Sequence, residues 1–390
     1  PPTYEAYREY RTGEEHFYAF QWDSAVAHFR GAIRADTAFM FPRLRIAGAL
    51  NNAGAYASAD SALRTIEALR SRLTPFEEAY ANYQRANLGG DLPATYAAAQ
   101  RMSRAAPISA FAAYYYGLIC RAVGRWAEAL EILDRLDPEG PMLRGRVYYY
   151  EYVTSARHML GEHRRELRAA ERGRRQYPDR MTVRAAELRA LAALGRLDDV
   201  RRLLADATTL PPDGGTSPND VFLTTARELR AHENPGAARE VLESLLAWIA
   251  GRPEGEARAV GLRWARAQAL ALLGRFDEAQ GLVDSLLAER PDVVEYLGQR
   301  GMIAAFRGDR AAAQVISDSL GRLQRPYLRG AHTAWRAGIA AALGDRPRAV
   351  QLLAEALATG YSAFYISDAD ERFESLRDYP PFQQLRRPRS

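Results

Sequence analysis

Three sets of residues in this 390-residue chain have types that could do chemistry: six histidines, one cysteine and a large population of tyrosines. None of His16, His28, His158, His163, His232 and His332 falls in a metal-ligand spacing such as His-Glu-x-x-His. The nearest grouping joins His158 and His163 with Glu162, and Gly161 interrupts the helix between them. That segment reads as a solvated turn, so no metal and no other cofactor is expected. Cys120 lies in an apolar helix among Leu118, Ile119 and Val123, the setting of an inert buried thiol. One cysteine forms neither an intramolecular disulfide nor a thiolate zinc site. All 53 basic residues are Arg, which removes Schiff-base chemistry and the phosphate-binding P-loop. There is no Gly-x-Ser-x-Gly elbow. Paired carboxylates such as Glu14-Glu15 and Asp198-Asp199 read as helix starts or exposed faces, where they serve the backbone or pair with Arg. The residues support no enzymatic activity.

The tyrosines are more informative. They cluster as Tyr7, Tyr10 and Phe17; Tyr80 and Tyr83; Tyr114, Tyr115 and Tyr116; and Tyr148, Tyr149, Tyr150 and Tyr152. Three consecutive residues on a helix span about 200°, so Tyr114 to Tyr116 cannot all enter one core face. Tyrosine joins a rigid apolar ring to a polar tip and serves either inter-helix packing or a partner surface.

Charge gives a milder message. The net charge is +5, and the segment from Arg157 to Arg189 carries ten Arg against five acids, an excess equal to that of the whole chain. This reads as a solvated face laced with Glu/Arg pairs, and no nucleic-acid signature accompanies it. Nucleic acid is therefore not expected as a partner. No apolar run approaches the roughly 18 to 20 residues of a membrane span. A start at Pro1-Pro2 without Met or an apolar leader reads as a processed product or a piece of a longer protein.

The elements that must position these side chains show as a repeat. A turn signature, usually Leu-Gly followed by Arg or Asp, recurs at Gly90, Gly124, Gly161 and Gly195, and again at Gly274, Gly308 and Gly344, at intervals of 34 to 37 residues within each block. A weaker copy sits at Asn234-Pro235-Gly236. Upstream, Gly54 continues the spacing, and Phe20-Gln21-Trp22 continues it with the glycine lost. Each unit reads as two amphipathic helices flanking the signature, as with Leu262, Ala265, Ala269, Leu270 and Leu273 before Gly274 and Phe276, Ala279, Val283, Leu286 and Leu287 after it. Glycine ends the first helix, and an acid just after it favours the start of the second. Ten units result. Residues 1–209 hold pairs one to six and residues 220–358 pairs seven to ten, separated by a Pro/Gly-rich loop or hinge over residues 210–219. Residues 359–390 read as a cap and basic tail: Phe373, Leu376, Phe382 and Leu385 form a terminal helix, and Arg386, Arg387 and Arg389 end in solvent.

The unit resembles the tetratricopeptide repeat. Ala279, Val283, Leu286 and Pro291 fit its second-helix pattern, as do Ala25, Phe29 and Ala32; Ala129 and Leu133; and Ala349, Leu353 and Ala356. Gly13, Gly117 and Gly301 match the small first-helix residue, whereas Glu166 and Thr95 depart from the small residue of the second helix. A narrower resemblance, carried by Glu5-Ala6-Tyr7 through Ala32, Leu194 to Asp199 and the tail Arg372 to Phe382, is to the C-terminal tetratricopeptide regions of bacterial serine/threonine kinases and winged-helix regulators. It implies a regulatory or assembly module with an effector domain before Pro1, cytoplasmic or tethered to a membrane through that segment.

The expectation is an all-α, superhelical solenoid of about ten antiparallel helix pairs with a C-terminal capping helix, acting as a non-catalytic scaffold for a peptide or partner protein. The resemblance places Tyr10, Tyr80, Tyr114 and Tyr148 on the inner groove, with Asn51, Asn87, Arg121 and Glu151 as the polar groups that orient a partner. The family's carboxylate clamp is not carried over, because it needs Lys. The alternatives are a structural subunit of a homo-oligomer or larger assembly, and a solenoid that binds a small molecule or glycan.

Overall fold

The structure is a computed structural model and describes residues 2–388. Those residues divide into two compact units, residues 2–156 and 157–388, with the boundary inside one helix. The first unit contains α1 (Tyr4–Tyr18), α2 (Trp22–Ala35), α3 (Phe41–Asn52), α4 (Tyr56–Ala68), α5 (Pro75–Gly89), α6 (Leu92–Ala105), α7 (Ala110–Ala122) and α8 (Trp126–Leu133), and ends within α9 (Tyr148–Met159). The second continues with α10 (His163–Gln176), α11 (Met181–Ala193), α12 (Leu197–Ala207), α13 (Pro218–Ala231), α14 (Pro235–Ala250), a single turn α15 (Glu254–Ala257), α16 (Val260–Leu272), α17 (Phe276–Glu289), α18 (Val294–Phe306), α19 (Arg310–Gly321), α20 (Ala331–Ala342), α21 (Arg346–Ala358) and α22 (Pro380–Arg386). Within each unit, helices pack against their chain neighbours and first helices stack on first helices, as α3 does on α5, α11 on α13 and α18 on α20. No helix among the described residues is long and apolar enough to cross a membrane.

The turn signature works as its chemistry demands. Gly90 and Gly274 sit at φ +78° and +76°, in the left-handed region that a Cβ disfavours. Where glycine is missing, another residue takes the same conformation: Phe20 at φ 62° and Glu233 at φ 64°. In the weak seventh copy the turn therefore falls at Glu233, and Gly236 lies inside α14.

The residue after the glycine settles how the second helix begins. Asp91, Asp309 and Asp345 accept from the backbone N–H three residues on, at 2.9, 2.9 and 3.1 Å. Where Arg stands there, it grips an acid three residues on: Arg125 to Glu128 at 2.8 Å, Arg196 to Asp199 at 2.8 Å, and Arg275 to Glu278 at 2.7 Å.

Paired helices interlock through the small residues. A Cβ on Gly13 would stand 2.6 Å from the Phe29 ring, and one on Gly117 would stand 2.6 Å from Leu133. Ala25, Ala59, Ala98, Ala129, Ala279 and Ala349 are fully buried on the second helices. Thr95 occupies such a position by returning its hydroxyl to the Asp91 carbonyl of its own helix, at 2.6 Å.

Residues 208–217 form a connection between α12 and α13, and Asp213 within it accepts from the Thr182 N–H at 3.1 Å and from Arg180 Nε at 2.6 Å. After α21 the tail forms a 3-10 turn over Glu371–Leu376 and then the short α22, rather than one terminal helix. Phe373, Leu376 and Phe382 cover the end of the α20/α21 pair. Arg386 does not end in solvent: it pairs with Asp368 through both oxygens, because the chain turns back over the cap. Arg389 lies outside the described residues.

Candidate functional site

In the first unit a polar network is buried among aromatic rings. Arg45 on α3 has no exposed surface. Its Nε donates to Glu14 on α1, its Nη1 to the hydroxyls of Tyr80 (3.0 Å) and Tyr115 (2.8 Å), and its guanidinium lies 3.7 Å from the centre of the Phe17 ring. Gln84 Nε2 donates to the Tyr80 hydroxyl at 2.8 Å, and the Tyr18 hydroxyl donates to Glu14. Burial works against the charge of Arg45. Glu14 ahead of the phenols more than offsets that cost and holds the guanidinium pKa above its ordinary value. Glu14 is thus a buried partner from the middle of α1, not the helix-start or surface carboxylate that its pairing with Glu15 suggested.

Arg146, in the segment before α9, closes the same network. It is 3% exposed, its Nη2 is 3.7 Å from Glu14 Oε2, and its guanidinium stacks 4.0 Å from the Tyr18 ring and 5.0 Å from that of Tyr114. Its Nε and Nη1 are buried without a hydrogen-bond partner. Among the buried residues of this unit, two guanidiniums therefore face one carboxylate.

From Arg146 the rings lead outward. Tyr114 packs 5.4 Å from Tyr152, which lies 5.9 Å from Tyr148 and carries the Arg121 guanidinium at 5.0 Å. Burial lifts the Tyr152 hydroxyl to about 12 against the pull of Arg121. Of the eight residues singled out as groove candidates, Tyr114, Arg121 and Tyr148 thus gather around Tyr152, with Tyr114 also under Arg146, and the half-buried Glu151 precedes Tyr152 in the chain. The other four do not join them. Tyr80 belongs to the Arg45 network, and Tyr10 packs among Tyr7, Phe29, Phe39 and Phe41. Asn51 and Asn87 are half-buried, each three residues before its turn glycine. Tyr80 and Tyr114 are 0% and 7% exposed, which makes them interior packing rather than open groove. Tyr116 is the member of its triplet that leaves the core face: it joins Tyr96, Gln100 and Glu128 on the other side of α7. Cys120 is buried, and burial foremost pushes its thiol pKa up, away from nucleophilic use.

The second unit holds a different cluster. His158 at the end of α9 places Nδ1 2.9 Å from Glu166 Oε2 and Nε2 3.3 Å from Glu228 Oε2. Glu166 also accepts from Arg189 Nε at 2.8 Å, and His163 Nδ1 lies 3.3 Å from it. His232, one turn after Glu228 on α13, has its Nε2 3.7 Å from Glu228 Oε2. Burial opposes a charge on His158, but Glu228 and Glu166 outweigh it and carry its pKa to about 10. Burial likewise works against ionised Glu166, and His158 and Arg189 hold it well below the usual carboxylate range. His232 is shifted down, by burial first.

Glu162 is not part of this cluster, contrary to the sequence grouping. It faces Arg157 and Arg165, both at 2.9 Å, because it precedes α10 and points to the surface. The residue that takes its place is Glu166, and the sequence held a signal for it: a carboxylate where the repeat wants a small residue. The ten-Arg segment is otherwise laced with such pairs, Arg174–Glu187 and Arg180–Asp213 among them.

Glycine turns, interlocked small residues and paired helices together decide the class. The architecture is tetratricopeptide-like. Similar solved structures include a tetratricopeptide repeat protein from Parabacteroides merdae, at 12% identity over 80% of this chain and 97% of that one, with a TM-score of 0.37. They also include yeast Tom70, at 10% identity over 97% and 82% of the two chains with a TM-score of 0.33. Naa15/Naa10 bound to HypK aligns at 13% identity over 95% and 72%, with a TM-score of 0.28. No family model and no curated protein matches the sequence.

Proposed function

We propose that the chain is a non-catalytic repeat scaffold whose first unit receives an acidic segment of a partner protein at Arg146. The observation that carries this reading is the charge imbalance inside that unit: Arg45 and Arg146 share Glu14, and two buried donors of Arg146 are unmet. A buried unsatisfied donor costs about 1–3 kcal/mol, and a carboxylate from outside recovers it while neutralising the surplus charge. The flank of Arg146 is aromatic. Tyr114, Tyr152 and Tyr148 give a rigid wall, and Arg121 at its outer end adds a second positive group. The clamp is built from Arg and Tyr, which suits a chain without Lys.

The test uses labelled peptides in pairs that differ only in Asp/Glu against Asn/Gln, with binding followed by fluorescence anisotropy. Acidic members should bind, weaken with salt, and be lost on Arg146→Met but partly kept on Arg146→Lys. Equal binding of the amide members, or retention on a folded Arg146→Met variant, overturns the reading. A discrete oligomer by light scattering that takes up no acidic peptide would favour the structural-subunit alternative.

A further inference from the structure

The three-histidine cluster of the second unit brings the ligand atoms of His158, Glu228 and His232 within 4.8 Å of one another. Glu228 is 5% exposed, and its Oε2 has no hydrogen-bond partner, yet it faces two imidazole nitrogens, His158 Nε2 at 3.3 Å and His232 Nε2 at 3.7 Å. Around a tetrahedral zinc ion with bonds of about 2.0–2.1 Å, neighbouring ligand atoms are about 3.3 Å apart. The two edges from Glu228 are close to that spacing, and all three ligand atoms lie within 4.8 Å of one another.

The outer contacts agree with this. Metal-bound histidines donate their other ring N–H to a carboxylate, which fixes the tautomer and aims the free nitrogen. His158 has that arrangement: Nδ1 lies 2.9 Å from Glu166, whose second oxygen is anchored by Arg189. His163 stands beside this group. Its ring centre lies 4.9 Å from that of His158 and 5.0 Å from that of His232, while its nitrogens group with His158 and Glu166 and not with Glu228 and His232. Its Nδ1 lies 3.3 Å from Glu166 Oε2, so it shares the carboxylate that His158 faces.

We infer that His158, His232 and Glu228 bind a zinc ion whose fourth position is left to water, with Glu166, held by Arg189, as the outer carboxylate that positions His158. Imidazole nitrogens with one carboxylate suit zinc and its transition-metal neighbours, not magnesium or calcium. The ion joins the end of α9 to the end of α13, where Glu228 and His232 lie one helical turn apart on the same face.

The test is metal titration of the full chain, untagged and stripped with chelator. Competition with a chromogenic chelator should give one zinc per chain, with a rise in Tm on loading. Cobalt in its place should give the intense visible bands of a tetrahedral nitrogen/oxygen site. Half-exposed His232→Ala should lose about 100-fold or more in affinity, and Glu166→Gln about 10- to 100-fold as a positioning residue. Glu162→Gln should change nothing. Absence of stoichiometric zinc, or unchanged affinity in folded His232→Ala, overturns the site. Should that variant fail to fold, the cobalt spectrum of the parent chain decides: weak octahedral bands overturn the inference and tetrahedral bands support it.

Discussion

Arg45 holds Glu14 from a position 31 residues later in the chain, and neither side chain is open to water. The pair is enclosed among the aromatic rings of the first unit. It ties α1 to α3, while the Tyr115 hydroxyl on the same guanidinium ties both to α7.

Breaking that pair should be costly because it strands a buried charge. Arg45→Met is expected to lose about 3–5 kcal/mol of unfolding free energy, and Glu14→Gln a similar amount, since it leaves Arg45 and Arg146 without a carboxylate. Arg45→Met combined with Glu14→Gln should lose less than the two single changes summed. Chemical denaturation of the four chains measures this, and strict additivity would show that the two groups do not interact.

The tail of the second unit is fastened by a pair that acid should release. Glu371 takes both Nε and Nη2 of Arg227 on α13, at 2.8 and 2.9 Å, and Glu374 takes Arg230 at 2.7 Å. Burial would raise the Glu371 pKa, but Arg227 outweighs it and holds the carboxyl below its ordinary value. A depressed carboxylate stabilises fully above its unfolded pKa of about 4.3, and that contribution disappears as pH falls through the lower folded value. With the pair about one-fifth exposed, Glu371→Gln should cost about 1–3 kcal/mol at neutral pH and almost nothing in strong acid. The Tm difference between the two chains, followed from about pH 7 to about pH 3, should shrink toward zero. A difference that grew toward acid would contradict the assignment.

Glu233 is a place where the sequence works against its own backbone. It is exposed and holds φ 64°, the conformation that glycine supplies at most other turns. Glu233→Gly should stabilise the chain by about 0.5–1 kcal/mol, the relief of left-handed strain less the added freedom of the unfolded state. Gly274→Ala, at φ +76°, should destabilise by about 1 kcal/mol. Paired thermal melts decide both, and a destabilised Glu233→Gly would mean that the side chain contributes more than its backbone costs.

Local features were legible because their causes are local. The turn glycines, the capping aspartates and the match of Gly13 to Phe29 and of Gly117 to Leu133 follow from spacing within one unit. The interior was not legible. Arg45 sits in an apolar helix, and its partners Glu14, Tyr80 and Tyr115 are 31, 35 and 70 residues away, separations that no periodicity encodes. Of the tyrosines expected in the groove, Tyr80 is taken up by that arginine. The histidine cluster was half visible: His158 and His163 stand close together in the sequence, but Glu228 and His232 belong to the end of a helix two pairs onward.

The Arg227–Glu371 clasp spans 144 residues, so on the ribosome its two halves are made well apart in time. At about 5–20 residues per second, Arg227 and Arg230 wait roughly 7 to 30 s for their acids to be synthesised. Throughout that interval α13 carries two uncompensated cations on the face the tail will cover. A nascent chain stalled before Glu371 would present them, together with the apolar end of the α20/α21 pair, to chaperones and to other chains.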